Sequence, residues 1–270
     1  MQALKEERVL QDQVKSLSIF EDWGEALLED FLMGAEVNSF PPHFLLSDPG
    51  DPLPLSILID GLLGVSFERD YPDNLDNFIF KGQLLDEMEF LHGIRKGRFV
   101  TLTRTSVIIP RSETVAKFHE QRPDLLYRAL GISLAAKMAQ KNEMFRLYQR
   151  KSVRSRIRFL LTGFDGSEAW SSLFVSSGKS RNSYEINALW SDLNLMSLLS
   201  TEFRTIKREL ASLVKENIIS VELFEKHLGS IRKSKTLSSA YLQGSDCAVR
   251  KNTYIKIRVL NRSELKYSTF

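Results

Sequence analysis

Cysteine and histidine are scarce in this sequence of 270 residues. A single cysteine, Cys247, excludes an internal disulfide, a four-cysteine zinc site and a cysteine-ligated iron–sulfur cluster within one chain. The 4 histidines are scattered, and the P-loop, Gly-x-Gly-x-x-Gly, Gly-x-Ser-x-Gly and His-Glu-x-x-His patterns are missing. We therefore expect a protein that is not an enzyme and that holds no metal ion or cofactor.

Long apolar runs are also missing. No run approaches the roughly 20 apolar residues that a membrane-spanning helix needs. The first residues, MQALKEERVLQDQ, mix acidic and basic side chains without the apolar segment of a signal peptide. With 43% hydrophobic residues, the chain can nevertheless bury the cores of two domains of ordinary size. We expect a globular, cytoplasmic protein with no membrane partner.

Charge is divided unequally along the chain. Residues 1–150 hold 17 Lys and Arg against 23 Asp and Glu, a net charge of −6, whereas residues 151–270 hold 20 against 11, a net charge of +9. An acidic first part joined to a basic second part indicates that only the second part meets a polyanion. The alternative is that surface charge simply varies along the chain.

Short strand-like runs dominate residues 37–110, where Pro, Gly, Asp and Asn interrupt apolar segments. Ser56–Asp60 and Leu62–Phe67 are such runs on either side of Gly61, and Asn77–Phe80 follows a polar turn. Several short strands at this spacing predict a roll or barrel.

Helical patterns follow the strand region. Ser112–Gln121 predicts a short helix, Pro123 suits a first helical turn, and Asp124–Lys151 predicts one long helix. At 100° per residue, five apolar side chains of the long helix fall within about 120° of one another; they are Leu126, Leu130, Leu134, Met138 and Phe145. We expect this stripe to pack on the same helix of a second copy, and the alternative is a helix that crosses the back of its own domain.

Two helical segments near residue 200 form the strongest functional pattern. Trp190–Leu199 and Glu202–Asn217 are separated by Ser200 and Thr201, and Ser200 is expected to cap the second helix. In the second helix, Arg204, Arg208 and Lys215 lie opposite an apolar face, which comprises Phe203, Ile206, Leu210, Leu213 and Val214.

A short helix, a tight turn and a second helix with a cationic face are typical of proteins that read the major groove of DNA. Arginine can bond guanine O6 and N7 through two hydrogen bonds, while Lys and Thr suit phosphates. The predicted DNA contacts are therefore Thr201, Arg204, Thr205, Lys207 and Arg208. A basic tail follows, in which Tyr254–Leu260 predicts a strand that forms a wing beside the helix pair and contacts the DNA backbone.

This order of parts resembles the cyclic AMP receptor protein and fumarate–nitrate regulator (CRP/FNR) family of bacterial transcription regulators over nearly the whole chain. The stretch RTIKREL, Arg204–Leu210, resembles the family's E-T-V-x-R-x-L pattern, and ENIIS resembles the segment after it. SVRSRIRFLL resembles the helix that leads into the family's DNA-binding domain. PGDPLPLSILIDGLLGV and TSVIIPRS resemble strands of its N-terminal roll.

The resemblance implies an α+β fold with an N-terminal β-roll, which is a jelly roll like that of cyclic-nucleotide-binding domains, a long dimerisation helix and a C-terminal winged helix-turn-helix. The expected domains are residues 1–122, 123–151 and 152–270. It further implies a homodimer on a pseudo-palindromic double-stranded DNA site, contact with RNA polymerase and a small effector. The family's glutamate, preceding arginine and turn glycine are Arg204, Phe203 and Ser200 here, so its DNA consensus is not carried over.

The segment KGQLLDEMEFLHGIRKGRF, Lys81–Phe99, resembles a degenerate form of the family's phosphate cassette, G-x-x-x-G-E followed by R-S-A. The matching positions are Gly82, Asp86, Glu87, Arg95 and Lys96. A carboxylate at the second glycine position repels a phosphate by about 1 kcal/mol or more. It also adds a Cβ where the backbone must come close. We therefore expect a regulator that does not respond to cyclic AMP, and that answers to another small effector, to a partner protein or to none.

Lys141 and Asn142 occupy the long-helix region where nucleotide-binding members have small hydroxyl residues that contact the base, which is a further departure from the nucleotide-binding pattern. Two alternatives stay open. Asp86, Glu87, Glu89 and His92 contain metal-ligand chemistry, although alternate residues of a strand point to opposite faces. The protein could also be a ligand-binding or protein-interaction module with no sequence-specific DNA role.

Overall fold

The computed structural model describes residues 13–48, 54–67, 75–93, 97–162, 174–176, 183–186, 190–227, 230–239, 242, 253–261 and 264–265. The chain divides into two compact units. The first comprises Met1–Phe67 and Asn77–Gln140, and the second comprises Glu68–Asp76 and Lys141–Phe270. Among the described helices, none combines the length and the apolar character that a membrane crossing requires.

The described part of the first unit combines short strands with helices on either side of them in sequence. The strands are β1 (Glu36–Phe40), β2 (Leu45–Ser47), β3 (Ser56–Asp60), β4 (Leu62–Ser66), β5 (Asn77–Phe80), β6 (Leu84–Leu85), β7 (Arg98–Thr101) and β8 (Thr105–Ile109). The helices are α1 (Glu25–Leu32), α2 (Glu87–His92), α3 (Ser112–Gln121) and α4 (Pro123–Gln149), whose last residues belong to the second unit. The predicted helices at 112–121 and 124–151 are confirmed within two residues.

The strands form two four-stranded antiparallel sheets, in the orders β1-β8-β3-β6 and β2-β7-β4-β5. Gly61, with φ +94°, turns the chain from β3 in one sheet to β4 in the other. A Cβ at Gly61 would lie 2.5 Å from the carbonyl oxygen of Arg104, so a side chain cannot be accommodated there without movement of the backbone. The predicted split of this strand pair at Gly61 is confirmed.

Aromatic rings form the centre of the first unit's core. The rings of Trp23 and Phe118 stack with centroids 5.3 Å apart, and the ring of Phe31 contacts Phe118 edge-on at 5.1 Å. Burial of each such ring stabilises the fold by roughly 1.5–3 kcal/mol. Leu126 and Leu130 of α4 are buried in the same core.

The described part of the second unit continues with helices and a single sheet. Its elements are α5 (Val153–Thr162), α6 (Asp192–Leu199), α7 (Phe203–Lys215), β9 (Phe174–Ser176), β10 (Tyr184–Ile186), β11 (Ile219–His227), β12 (Ser230–Leu237) and β13 (Thr253–Val259). The strands form an antiparallel sheet in the order β12-β11-β13-β10-β9. Strands β9 and β10 pair antiparallel, with Val175 opposite Glu185.

Two helix boundaries differ from the sequence-based expectation. The helix expected from Trp190 begins at Asp192, because the backbone N–H and C=O of Trp190 pair with Ile255 of β13 at 2.9 and 2.8 Å. The helix expected to reach Asn217 ends at Lys215, because Asn217 takes a left-handed φ of +58°.

Candidate nucleic-acid interface and effector cassette

The turn between α6 and α7 is set by one left-handed residue. Ser200 has φ +47°, and the N–H of Thr201 returns to the carbonyl of Met196 at 3.2 Å. This geometry closes α6, as a glycine commonly does at a helix end. The expectation that Ser200 caps α7 is wrong, because Glu202 is the N-cap residue and makes no side-chain capping hydrogen bond.

Helix α7 has one apolar and one cationic face, as its sequence predicts. Ile206, Leu210 and Leu213 are buried, and Arg204, Arg208 and Lys215 are exposed. Thr201, Thr205 and Lys207 are half-buried at the borders. Among the described residues, the guanidinium of Arg208 has one ion-pair contact, which is with Glu209 at 3.7 Å. The Arg208 side chain is 70% exposed, so it can contact a ligand.

Arg156 of α5 connects the turn to the end of the long helix. Its Nε donates to the carbonyl oxygen of Arg150 at 3.0 Å, just beyond α4. Its Nη1 donates to the carbonyl oxygens of Leu199 and Ser200 at 2.7 and 3.2 Å. The last carbonyls of a helix lack partners within it, so Arg156 satisfies these groups and holds the turn. The sequence analysis missed this residue, because an arginine in a basic run carries no signal of its partners.

A second polar cluster holds α5 to the last turn of α7. Arg154 forms an ion pair with Glu216 and donates a 2.9 Å hydrogen bond to Ser212. The Arg154 hydrogen bond holds the pKa of the Glu216 carboxyl below its usual value, and a hydrogen bond from Ser212 acts in the same direction. Burial lowers the pKa of Arg158, which lies 3.9 Å from Glu216. This cluster fixes the C-terminal end of α7.

The sheet beside α7 differs from the expected wing. The strand predicted at Tyr254–Leu260 is present as β13, but it lies in the middle of the sheet, where its alternating apolar side chains are buried. The edge is the long hairpin of β11 and β12. On β12, Arg232, Lys233 and Ser234 are exposed, and Lys233 pairs with Glu222 of β11. The exposed basic edge is therefore β12.

The cassette keeps a glycine-like backbone. Gly82 has φ +86°, and Asp86, at the position of the second glycine, has φ +67° and is 7% exposed. Glycine adopts this conformation most readily, and Asp is among the few other residues that are enriched in it. Arg95 and Lys96 lie outside the described residues. No group of three or more His, Cys, Asp or Glu able to hold a metal ion occurs in the part of the chain that the structure describes.

Glu87 is already engaged by the long helix. Ser133 donates to its Oε1 at 2.5 Å, and the Lys137 ammonium contacts its Oε2 at 2.5 Å. Lys137 also donates to the Leu84 carbonyl oxygen at 2.7 Å, and Ser133 Oγ accepts from the Leu84 N–H at 2.9 Å. Burial lowers the pKa of Lys137, and attraction to Glu87 opposes that shift.

The residues of α4 that contact the cassette are Ser133 and Lys137. Lys141 and Asn142 are exposed, and Ser133 and Lys137 take the inward position instead. Ser133 and Lys137 are four residues apart on the face that also buries Leu130. The sequence signal for this contact was the presence of two polar residues, Ser133 and Lys137, four apart on an otherwise apolar face of the helix.

The apolar stripe of α4 is divided between two faces. Leu126 and Leu130 are each 1% exposed in the core of their own unit, so their side chains are not available at an interface. Leu134 is half-buried, and Met138 and Phe145 are 69% and 55% exposed. Exposed and half-buried residues spaced alternately four and three apart run along α4, and we call them the exposed line. The exposed line comprises Tyr127, Gly131, Leu134, Met138, Lys141, Phe145 and Tyr148.

No protein-family model and no curated protein matches this sequence. Solved structures do match. A CRP-family transcriptional regulator from Thermus thermophilus has a TM-score of 0.54 and 17% identity, over 84% of this chain and 94% of that one. A CRP/FNR-family regulator from the same organism has a TM-score of 0.54 and 14% identity, over 86% and 96%. FixK2 from Bradyrhizobium japonicum has a TM-score of 0.51 and 17% identity, over 86% and 95%.

These similarities extend over most of each chain. The structural similarity concerns a mixed arrangement of helices and antiparallel sheets. It agrees with the resemblance that the sequence motifs show. The chain therefore has the fold of CRP/FNR transcription regulators.

Proposed function

We propose that this protein is a dimeric, sequence-specific DNA-binding transcription regulator of the CRP/FNR type that does not respond to cyclic AMP. The observation that carries the proposal is α7, whose apolar face is buried while Arg204 and Arg208 are exposed directly after a tight turn. A solvated basic helix face is common by itself, but here α5 holds both the turn before α7 and the last turn of α7.

In this proposal α6, the turn and α7 form a helix-turn-helix, and the β11–β12 hairpin is its wing. The exposed arginines of α7 contact base edges in the major groove, where guanine offers two acceptors to one guanidinium. Thr201, Thr205, Lys207 and the basic residues of β12 contact phosphates, which strengthens binding without reading sequence. The first unit is a β-roll of the jelly-roll type, and the functional domains are residues 1–122, 123–151 and 152–270.

The dimer forms through the exposed line of α4, with Leu134, Met138 and Phe145 at its centre. Two copies of α7 then enter successive major grooves of a pseudo-palindromic site, about one helical turn apart. RNA polymerase is the further partner that such a regulator contacts. A small effector, where one exists, is chemically different from cyclic AMP, because Asp86 and the engaged Glu87 oppose an anion at the cassette.

Selection of bound fragments from genomic DNA, with and without a metabolite extract, tests the proposal and yields a site for measurement. Arg208→Ala is expected to weaken binding to that site by roughly 1–3 kcal/mol, because one base contact is lost. Arg146→Ala is the matched control, since it removes a similarly exposed arginine from α4. Equal affinity of Arg208→Ala and the unaltered protein would place the reading surface elsewhere.

The salt dependence of binding separates this function from that of a protein-interaction module. A DNA-binding protein loses affinity steeply as salt rises, because each neutralised phosphate releases counterions. Failure to retard mixed DNA fragments at low salt would favour the interaction module.

A further inference from the structure

The cassette and the long helix are joined by a closed set of polar contacts. Both backbone groups of Leu84 and both carboxylate oxygens of Glu87 bond to side chains of α4, at distances between 2.5 and 2.9 Å. Two residues, Ser133 and Lys137, supply all four contacts. The joined segments are about 50 residues apart in sequence, so tertiary packing alone creates the cluster.

The cluster is closed to water. Ser133 is fully buried, and the side chains of Glu87 and Lys137 are 3% and 14% exposed. A buried ion pair depends on both partners, because removal of one leaves an uncompensated charge out of water. This contact therefore holds the segment of Leu84 to Glu87 on α4 more firmly than an exposed pair would.

The charge of the cluster disfavours a bound anion. The carboxylate of Glu87 is paired with the ammonium of Lys137, and the carboxylate of Asp86 also attracts that ammonium. Of the donors in the described part of the cluster, Ser133 and Lys137 are already used, because both donate to Glu87. Glu87, which matches the glutamate of the family's cassette, is thus neutralised from within the chain.

We propose that the Glu87–Lys137 ion pair, with Ser133, substitutes for a bound effector and fixes the cassette against α4 in the absence of any small anion. Since α4 carries the proposed dimer line, the ion pair keeps the regulator in its DNA-binding form without a signal molecule. The claim about the DNA-binding form rests on the proposed function, whereas the claim that the ion pair replaces an effector does not.

The test uses the full chain and a double-mutant cycle of Glu87→Gln and Lys137→Met. Each single variant is expected to lower the midpoint of thermal unfolding by about 5–10 °C, because it leaves a buried group without its partner. The double variant is expected to lose little more than either single one, since both remove the same contact. Ser133→Ala provides a milder change that retains the ion pair, and Lys141→Met is the control for loss of an exposed lysine of α4.

DNA binding and cyclic AMP are the two further measurements. The unaltered protein, after extensive dialysis, is expected to bind its selected site, and Lys137→Met to bind it at least tenfold more weakly. Cyclic AMP in excess is expected to leave the unfolding midpoint unchanged. The proposal is overturned if the two single variants act additively, if cyclic AMP raises the midpoint, or if Lys137→Met unfolds earlier yet binds DNA as the unaltered protein does.

Failure of the proposed function has a different signature. A protein that binds no DNA under any condition would refute the regulator, while the mutant cycle and the response to cyclic AMP would still decide whether the ion pair replaces an effector.

Discussion

At the scale of single residues, two of the four described non-glycine residues with a positive φ stand at glycine positions of the family's motifs. Asp86 and Ser200 have φ values of +67° and +47°. Both lie where the motif comparison places a glycine of the CRP/FNR pattern. For a residue with a Cβ, the left-handed conformation costs roughly 1–2 kcal/mol. The surrounding structure therefore imposes these turns, and the local sequence does not favour them.

Ser200→Gly is expected to stabilise the protein by about 0.5–1 kcal/mol, because it relieves the left-handed strain at the end of α6. The gain is smaller than the strain itself, because glycine also raises the conformational entropy of the unfolded chain. Denaturant unfolding measures the change. Ser200→Ala is the matched control, since it removes the hydroxyl and keeps the Cβ. A gain of the same size in both variants would assign the effect to the hydroxyl and not to the backbone.

At the scale of secondary-structure elements, single arginines connect helices. Arg156 bonds carbonyl oxygens at the end of α4 and in the turn before α7, so the position of the turn depends on α5. Arg154 and Glu216 hold the other end of α7. Because the preceding turn and the C-terminal end of α7 are both bonded to α5, α7 is presented as a rigid element, which is what base contacts within hydrogen-bond distance require.

Arg156→Ala is expected to lower the free energy of unfolding by about 1–3 kcal/mol, because it leaves the carbonyl oxygens of Leu199 and Ser200 without their charged donor. Amide hydrogen exchange should become faster in the turn at residues 199–201 than in the centre of α4. Lys151→Ala is the control, since it removes an exposed positive charge near the same helix. Unchanged exchange at the turn would show that other contacts hold it.

At the scale of the whole molecule, the exposed line of α4 is the feature that a second copy would cover. Exposed apolar side chains also occur at Met33, Val37, Phe44, Leu45 and Phe67. Among the described helices, however, α4 is the one that arranges such residues in a repeat of four and three. At 100° per residue, Leu134, Met138 and Phe145 lie within about 120° of Leu126, so the exposed line runs beside the side of α4 that buries Leu126 and Leu130. One helix thus serves its own core and an interface with adjacent faces.

Leu134→Glu combined with Met138→Glu is expected to convert the protein to monomers, because like charges from both copies would meet in an apolar seam. Sedimentation at several concentrations measures the state, and circular dichroism should show an intact fold since neither side chain is in the core. Ala139→Glu, which adds a charge at an exposed position beside the line, is the control. A dimer that persists in the double variant would remove α4 from the interface.

Most of the architecture could be predicted from sequence, and the reasons are local. The α7 faces follow from residues three and four apart, and the split at Gly61 follows from a glycine between two apolar runs. Helix boundaries were less accurate where a distant strand intervened, as at Trp190 and Ile255.

By itself, the sequence determined which helices are amphipathic, where arginines face solvent on α7, and that an acidic residue occupies a glycine position of the cassette. The first two properties depend on periodicity within one segment, and the third depends on the resemblance of one segment to the CRP/FNR motif. Only the tertiary structure decided that Lys137 meets Glu87, that Arg156 bonds the turn, and that Leu126 and Leu130 belong to the core while Met138 does not. These contacts depend on how segments distant in sequence pack together, and no local pattern encodes that packing.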